Sequence, residues 1–258
     1  MSGAALVAHQ FRYDQKAFWR NPASVFFTVM FPVILLLIFA TVFGDETLDI
    51  DGGVKTTVYY VPAIITLSVI SATMQTLAMS LVIAREDGRL KRGRGTPMPP
   101  WVFIAGRIGN SVVVAVLMLA LISVLGRVLY GVAIPWERLP EVLGVLVVGA
   151  VSFCCLGVAL TAAIPSQDAA APIVNALLLP LYFLSGVFIP SSQLPSGVIH
   201  FADIFPVRHF FEAFFDAYVP SGAGGSGPEW WHLAILAAWG VVGMLIAIRT
   251  FRWAPRSD

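Results

Sequence analysis

Polar and apolar positions along this chain fall into long blocks rather than short periods. Six predominantly apolar blocks cover 24–43, 59–84, 102–125, 142–164, 169–189 and 232–248. Crossing the hydrocarbon core as a helix takes about 20 such residues, so the blocks predict six transmembrane helices in one transmembrane domain spanning 1–258. Pro32, Pro62, Pro172 and Pro180 lie inside them. In a membrane, packed neighbours re-satisfy the backbone groups that a proline frees. Two segments mix their residues differently. Residues 1–21 set Val7, Phe11 and Phe18 on one helical face and Arg12, Lys16 and Arg20 on another. That is the pattern of an amphipathic helix lying in the interface, its basic stripe toward anionic headgroups. Residues 190–228 scatter Ile199, Phe201, Ile204, Phe205, Phe210, Phe211, Phe214 and Phe215 among Asp203, Arg208, His209, Glu212 and Asp216. This mixture suits short helices sunk partway into the outer leaflet, and the Gly/Ser-rich 221–227 reads as a flexible link into the last span.

Composition fixes the class. Hydrophobic residues make up 58% of the 258 and charged residues 12%, with a mean hydropathy of +0.82. A soluble domain carries roughly 25% charged residues, so most of this surface must be solvated by lipid. The net charge of +1 carries no signal for nucleic acid. Cys154 and Cys155 are adjacent in an apolar run and read as small buried hydrophobes. The first 22 residues lack the continuous apolar stretch of a cleavable signal peptide.

Charge also predicts sidedness. With the N-terminus inside, the cytoplasmic connections hold twelve of the sixteen Lys and Arg residues, and the opposite side holds only Lys55, Arg127, Arg138 and Arg208. The positive-inside rule then places both termini in the cytoplasm, while Asp45, Glu46, Asp49 and Asp51 gather in the first outer loop.

Polar chemistry within the spans is sparse. Ser68, Ser71 and Gln75 recur at i, i+3 and i+7 in the second span, and Asn175 lies in the fifth. Such groups serve as hydrogen-bonding glue between helices, or they line a path at an interface between two such bundles. No ionisable residue lies deep in a span, which speaks against a proton-coupled carrier. His200, His209 and His232 match no ligand spacing for a metal and read as polar anchors. Trp101, Trp136, Trp230 and Trp231 suit an interfacial aromatic belt.

The densest polar stretch is the connection 84–100, with five basic and two acidic residues before Thr96-Pro97. By composition it reads first as a topology signal. Its order, however, is distinctive: Arg85-Glu86-Asp87-Gly88, then Leu90 and Arg92, then Thr96-Pro97. Elsewhere stand Arg20-Asn21-Pro22 before the first span, Phe31-Pro32 within it and Phe43-Gly44 closing it. Later come Asn175, Pro180, Phe183-Leu184-Ser185-Gly186, Pro190, Leu194-Pro195 and Pro206. Together these resemble type-2 ABC exporter permeases of the daunorubicin-resistance type, across nearly the whole chain and in order.

The resemblance implies an all-α membrane protein of six transmembrane helices with an N-terminal interfacial helix, a cytoplasmic coupling helix and an outer re-entrant helical hairpin. It implies docking of cytoplasmic ABC ATPase subunits through Arg85, Glu86, Asp87, Gly88, Leu90, Arg92, Thr96 and Pro97, and through the interfacial helix with Phe11, Arg12, Lys16, Phe18 and Arg20. It further implies a second permease copy or homologue, and an outer gate around Ser185, Gly186, Pro190, Leu194, Pro195 and Pro206. Gly93 departs from the apolar residue usual in the family and disfavours helix there by roughly 1 kcal/mol. The chain has no G-x-x-x-x-G-K-[ST] phosphate loop before Lys16, Lys55 or Lys91, so no cofactor is expected on it, and ATP and Mg belong on the partner. The expected role is outward transport of an amphipathic drug or lipid from a bacterial plasma membrane. A lipid-linked saccharide or envelope glycolipid is the alternative cargo. A six-span membrane enzyme or assembly factor is the alternative class, for which no acid–base or nucleophile cluster is present near a span.

Overall fold

A computed structural model describes residues 3–43, 47–48, 54–90, 100–219 and 229–251. Arg92, Gly93, Thr96 and Pro97 lie outside the described residues, as do the outer-loop acids 45, 46, 49 and 51 and the link 221–227. An N-terminal helix, Gly3–Trp19, precedes six helices long and apolar enough to cross a membrane. These are span 1 (Pro22–Phe43), span 2 (Thr56–Glu86), span 3 (Val102–Tyr130), span 4 (Leu139–Leu160), span 5 (Gln167–Leu184) and span 6 (Trp230–Thr250). Among the described residues between spans 5 and 6 stand a single 3-10 turn and two helices, Ser196–Ala202 and Pro206–Tyr218. A two-residue antiparallel ladder pairs Thr47 with Lys55 and Leu48 with Val54 ahead of span 2. The protein is an all-α membrane protein in every other described element.

The near end of the bundle carries the N-terminal helix and the 4–5 turn; the far end carries the helices between spans 5 and 6. Span 2 is the axis. In its most apolar window 72% of residues are buried, against 22% in spans 1 and 6. Small residues set the closest approaches. A Cβ on Gly157 of span 4 would lie 2.8 Å from the Met74 carbonyl of span 2, and one on Gly240 of span 6 would lie 2.6 Å from Ser152 Oγ. Met74 sits in a π-helical turn, Ser71–Gln75, and span 1 has its own π turn at Phe26–Met30. Thr28 and Thr76 hydroxyls meet at 3.2 Å between these two spans.

The span ends differ from the hydropathy blocks for local reasons. Span 3 continues past 125 to Tyr130 and stops at Gly131, whose φ of +68° allows its N–H to cap the Arg127 carbonyl. Span 4 ends at Leu160 rather than 164. The N–H groups of Thr161, Ala162 and Ala163 turn back by hydrogen bonds to the Val158, Ala159 and Leu160 carbonyls, respectively, and Pro165 bars Ile164 from helical geometry. Span 5 opens at Gln167, where Ser166 Oγ accepts from the Ala169 N–H, and it ends at Leu184 instead of 189. Gly186 there takes φ +94°, so the apolar 187–189 continue as a bend.

Candidate functional site

At the near end, the N-terminal helix divides its faces as its sequence pattern predicts. Phe18 is buried and Phe11 half-buried, while Arg12, Lys16 and Arg20 are exposed. The buried face holds more than apolar contacts. Asp14 is only 8% exposed, and Gln10 Nε2 donates to both of its carboxylate oxygens at 3.1 Å. Burial raises the Asp14 pKa, with the Arg107 charge and the Gln10 amide pulling it down. Arg107 enters from span 3, where its Nη1 donates to Ser80 Oγ of span 2 at 2.7 Å and its guanidinium lies 4.7 Å over the Phe103 ring. The sequence signal was available, because 7, 11, 14 and 18 share one helical face.

Span 2 ends in the segment Arg85–Leu90. Arg85 is 3% exposed. Its Nη1 donates to the Thr161 carbonyl (3.1 Å), its Nη2 to the Ile164 (2.8 Å) and Pro165 (3.3 Å) carbonyls, and its Nε to Glu86 Oε1 (3.1 Å). A buried guanidinium is thus satisfied by the orphan carbonyls at a helix C-terminus, and it ties the end of span 2 to the 4–5 turn. Leu90 is also buried. The side chains left at the surface are Asp87 and Arg89, paired at 2.8 Å, with Glu86 partly exposed. Gly88, at φ +68°, makes the turn between them.

Midway along the bundle the structure joins some of the predicted polar positions and separates others. Ser71 Oγ donates to Gln75 Oε1 (3.2 Å), and Gln75 Nε2 donates to Asn175 Oδ1 of span 5 (3.1 Å). Ser68 is fully buried, and its hydroxyl returns to the Ile64 carbonyl of its own helix at 2.7 Å. The π turn at 71–75 takes up one extra residue per turn and breaks the i, i+3, i+7 stripe. Asn175 lies on the exposed face of span 5.

At the far end, helix Pro206–Tyr218 is buried along Val207, Phe210, Phe211, Phe214, Phe215 and Tyr218. Pro206 opens it, where a missing N–H costs nothing. Phe210 packs edge-on to Phe153 of span 4 at 5.5 Å. The Tyr59 hydroxyl of span 2 donates to the Gly186 carbonyl, and Tyr60 donates to that of Phe188 at 3.1 Å. Ser185 is buried and bonds the Tyr182 carbonyl. Pro190 is buried, whereas Leu194 is half-buried and Pro195 exposed, so the last two sit on the turn rather than against the spans. Two networks here have no signature in the sequence. Arg208 reaches Asp203 (2.7 Å), Ser191 (2.9 Å) and Glu212 (3.2 Å). His209 Nδ1 lies 2.8 Å from His232 Nδ1 of span 6, its Nε2 donating to the Asp203 carbonyl at 2.7 Å. Among the described residues no group of three His, Cys, Asp or Glu is placed to hold a metal.

The structure shows six apolar helices long enough to cross a membrane, preceded by an N-terminal helix, and comparison with known proteins decides the family. The ABC-2 type transporter family model matches residues 6–219. The chain belongs to that family. A curated relative, "Putative transport permease YvfS" of Bacillus subtilis (strain 168), is 25% identical over 235 residues, covering 91% of this chain and 92% of the relative. As an ABC-2 protein the chain is a multi-pass membrane permease subunit of an ABC transporter. Its family-matched region runs from the N-terminal helix to the end of the far-end helix Pro206–Tyr218.

Proposed function

We propose that this ABC-2 permease moves an amphipathic drug or lipid outward across a bacterial plasma membrane, with both termini and the near end in the cytoplasm. Separate cytoplasmic ATPase subunits hold the ATP and Mg, and a second permease copy or homologue stands beside the chain. The observation that carries this reading is the Arg85 tie. A partner that pulls on Glu86, Asp87 and Arg89 pulls on span 2, and through three carbonyl bonds on the 4–5 turn as well. Arg85 and Leu90 serve by positioning that segment, while the exposed basic stripe of the N-terminal helix adds a second contact. Gln75 lies ten residues up span 2 from Arg85, ~15 Å at 1.5 Å per residue. The Ser71–Gln75–Asn175 chain therefore sits within reach of that motion. Its uncharged amides in an apolar wall favour an amphipathic cargo over an ion. The bend at 186–188, held by Tyr59 and Tyr60, and the far-end helices that follow it form the proposed outer gate.

The test is purification of the tagged chain from native membranes in mild detergent, with mass spectrometry of what accompanies it. An ATP-binding subunit recovered with the wild type and depleted by Glu86→Ala is the expected result, and Leu90→Ala should deplete it through a displaced segment. Recovery of no nucleotide-binding protein under any mild condition would overturn the reading and leave the segment a topology signal.

A further inference from the structure

The junction of the N-terminal helix with spans 2 and 3 collects polar groups that remain incompletely paired. Arg107 Nε, Asn110 Oδ1 and Gln15 Nε2 are buried without a hydrogen-bond partner. Asp14 is buried and, among the described residues, accepts from Gln10 alone. Asp14 and Arg107 feel each other's charge, yet the Arg107 guanidinium donates to Ser80 through Nη1 and no ion pair joins it to Asp14. Native folds leave few buried polar atoms unpaired, and a buried acid beside a buried base that it does not touch is costly on both sides. A Cβ on Gly106 would lie 2.7 Å from Gln10 Cγ, so the helix rides directly on the span 3 backbone one residue from Arg107. Movement of the helix along span 3 would therefore change which acceptor the guanidinium meets.

We infer that Arg107 is a two-position switch residue: it is held by Ser80 of span 2 in the state described here, and by Asp14 of the N-terminal helix in a second state reached when that helix moves. In the first state the Arg107 side chain links spans 2 and 3 and makes no ion pair to the N-terminal helix. In the second, helix and span 3 are linked and span 2 is released. The two states bias each other through one side chain, the condition for coupling between elements. The groups that act on Asp14 are Gln10 from its own helix and Arg107 from span 3, with Ser80 of span 2 on the Arg107 guanidinium and the Arg89 charge acting on Arg107. The raised carboxyl makes the second state weaken as pH falls, since a neutral Asp14 holds a guanidinium less well.

Pulsed electron paramagnetic resonance on the full chain in lipid nanodiscs tests this without any ATPase. Spin labels go on Tyr13→Cys and Ile248→Cys, both exposed, in a Cys154→Ala, Cys155→Ala background, diluted with unlabelled chain so that only distances within one chain register. Ser80→Ala should enlarge a second distance population several-fold over the parent, and Asp14→Asn should remove it. Lowering the pH from 8 to 5.5 should shift the parent toward the Asp14→Asn distribution. Removing either partner of one arginine thus moves the distances in opposite directions, which loss of packing alone does not do. One unchanged distribution in the parent and both variants, or shifts of both variants in the same direction, would overturn the proposal.

Discussion

Arg85 Nη2 lies 2.8 Å from the carbonyl oxygen of Ile164, across seventy-nine residues of chain. With the Thr161 and Pro165 bonds beside it, one guanidinium closes the exposed end of span 4 and fastens it to span 2. Arg85→Ala removes these bonds and leaves the carbonyls to find water. Hydrogen bonds to a charged group contribute about 1.5–3 kcal/mol, and a loss in that range is expected in thermal unfolding of the purified protein. Arg85→Lys keeps the charge but not the fork and should fall between. A cysteine placed at Ser166 should react faster with a polar maleimide in both variants, in the same order.

How much of this was legible beforehand differs from element to element. The six spans follow from apolar length, because nothing else solvates that many apolar residues. Their ends do not, since hydropathy treats Ile164 as span although Pro165 stops the helix before it, and treats 187–189 as span although Gly186 has turned the backbone. Ser68, Ser71 and Gln75 share a face only in an uninterrupted α-helix, and the π turn at 71–75 is invisible to that arithmetic. Asp14 was readable as a carboxylate on the buried face of an amphipathic helix. The partners of Arg85, and the His209–His232 contact across twenty-three residues, depend on how separate helices meet, which no local spacing encodes.

Gly186 and Gly131 separate two reasons for a glycine. Both have positive φ, but a Cβ on Gly131 meets nothing within 4 Å, whereas one on Gly186 lies 2.9 Å from Phe211 Cε1. Gly131→Ala should cost only the left-handed penalty, about 1–2 kcal/mol. Gly186→Ala should cost more, because Phe211 must shift and the Tyr59 bond to the Gly186 carbonyl goes with it. Paired thermal melts of the two variants check the order, and equal losses would mean that Phe211 yields freely.

Gln75 and Asn175 are the cross-helix pair between spans 2 and 5. Hydrogen bonds of this kind in membranes couple by about 0.6 kcal/mol on average and up to about 1.7. A double-mutant cycle with Gln75→Leu and Asn175→Leu should return a coupling in that range. If the proposed cargo is amphipathic and the pair also lines its path, either single variant should change the relative sensitivity of cells expressing the permease to different amphipathic compounds more than it changes expression level. A uniform loss across compounds would leave the pair a structural contact.

Glu212 carries a pH dependence whose sign follows from its surroundings. Burial pushes its pKa up, opposed by the Arg208 charge and the Ser191 hydroxyl. A carboxyl whose folded pKa exceeds its unfolded value binds its proton more tightly when folded, so its effect on stability is unfavourable at high pH and relieved as pH falls through the raised value. Glu212→Gln removes that titration while keeping an acceptor for Ser191 and Arg208. The melting temperature of wild type relative to Glu212→Gln should therefore rise as pH is lowered from 7.5 toward 5. Reduction of the same difference by high salt would point to exposed charges instead, since buried pairs are screened little. A difference that falls with acidification would mean that the Arg208–Glu212 ion pair, rather than burial, dominates at this position.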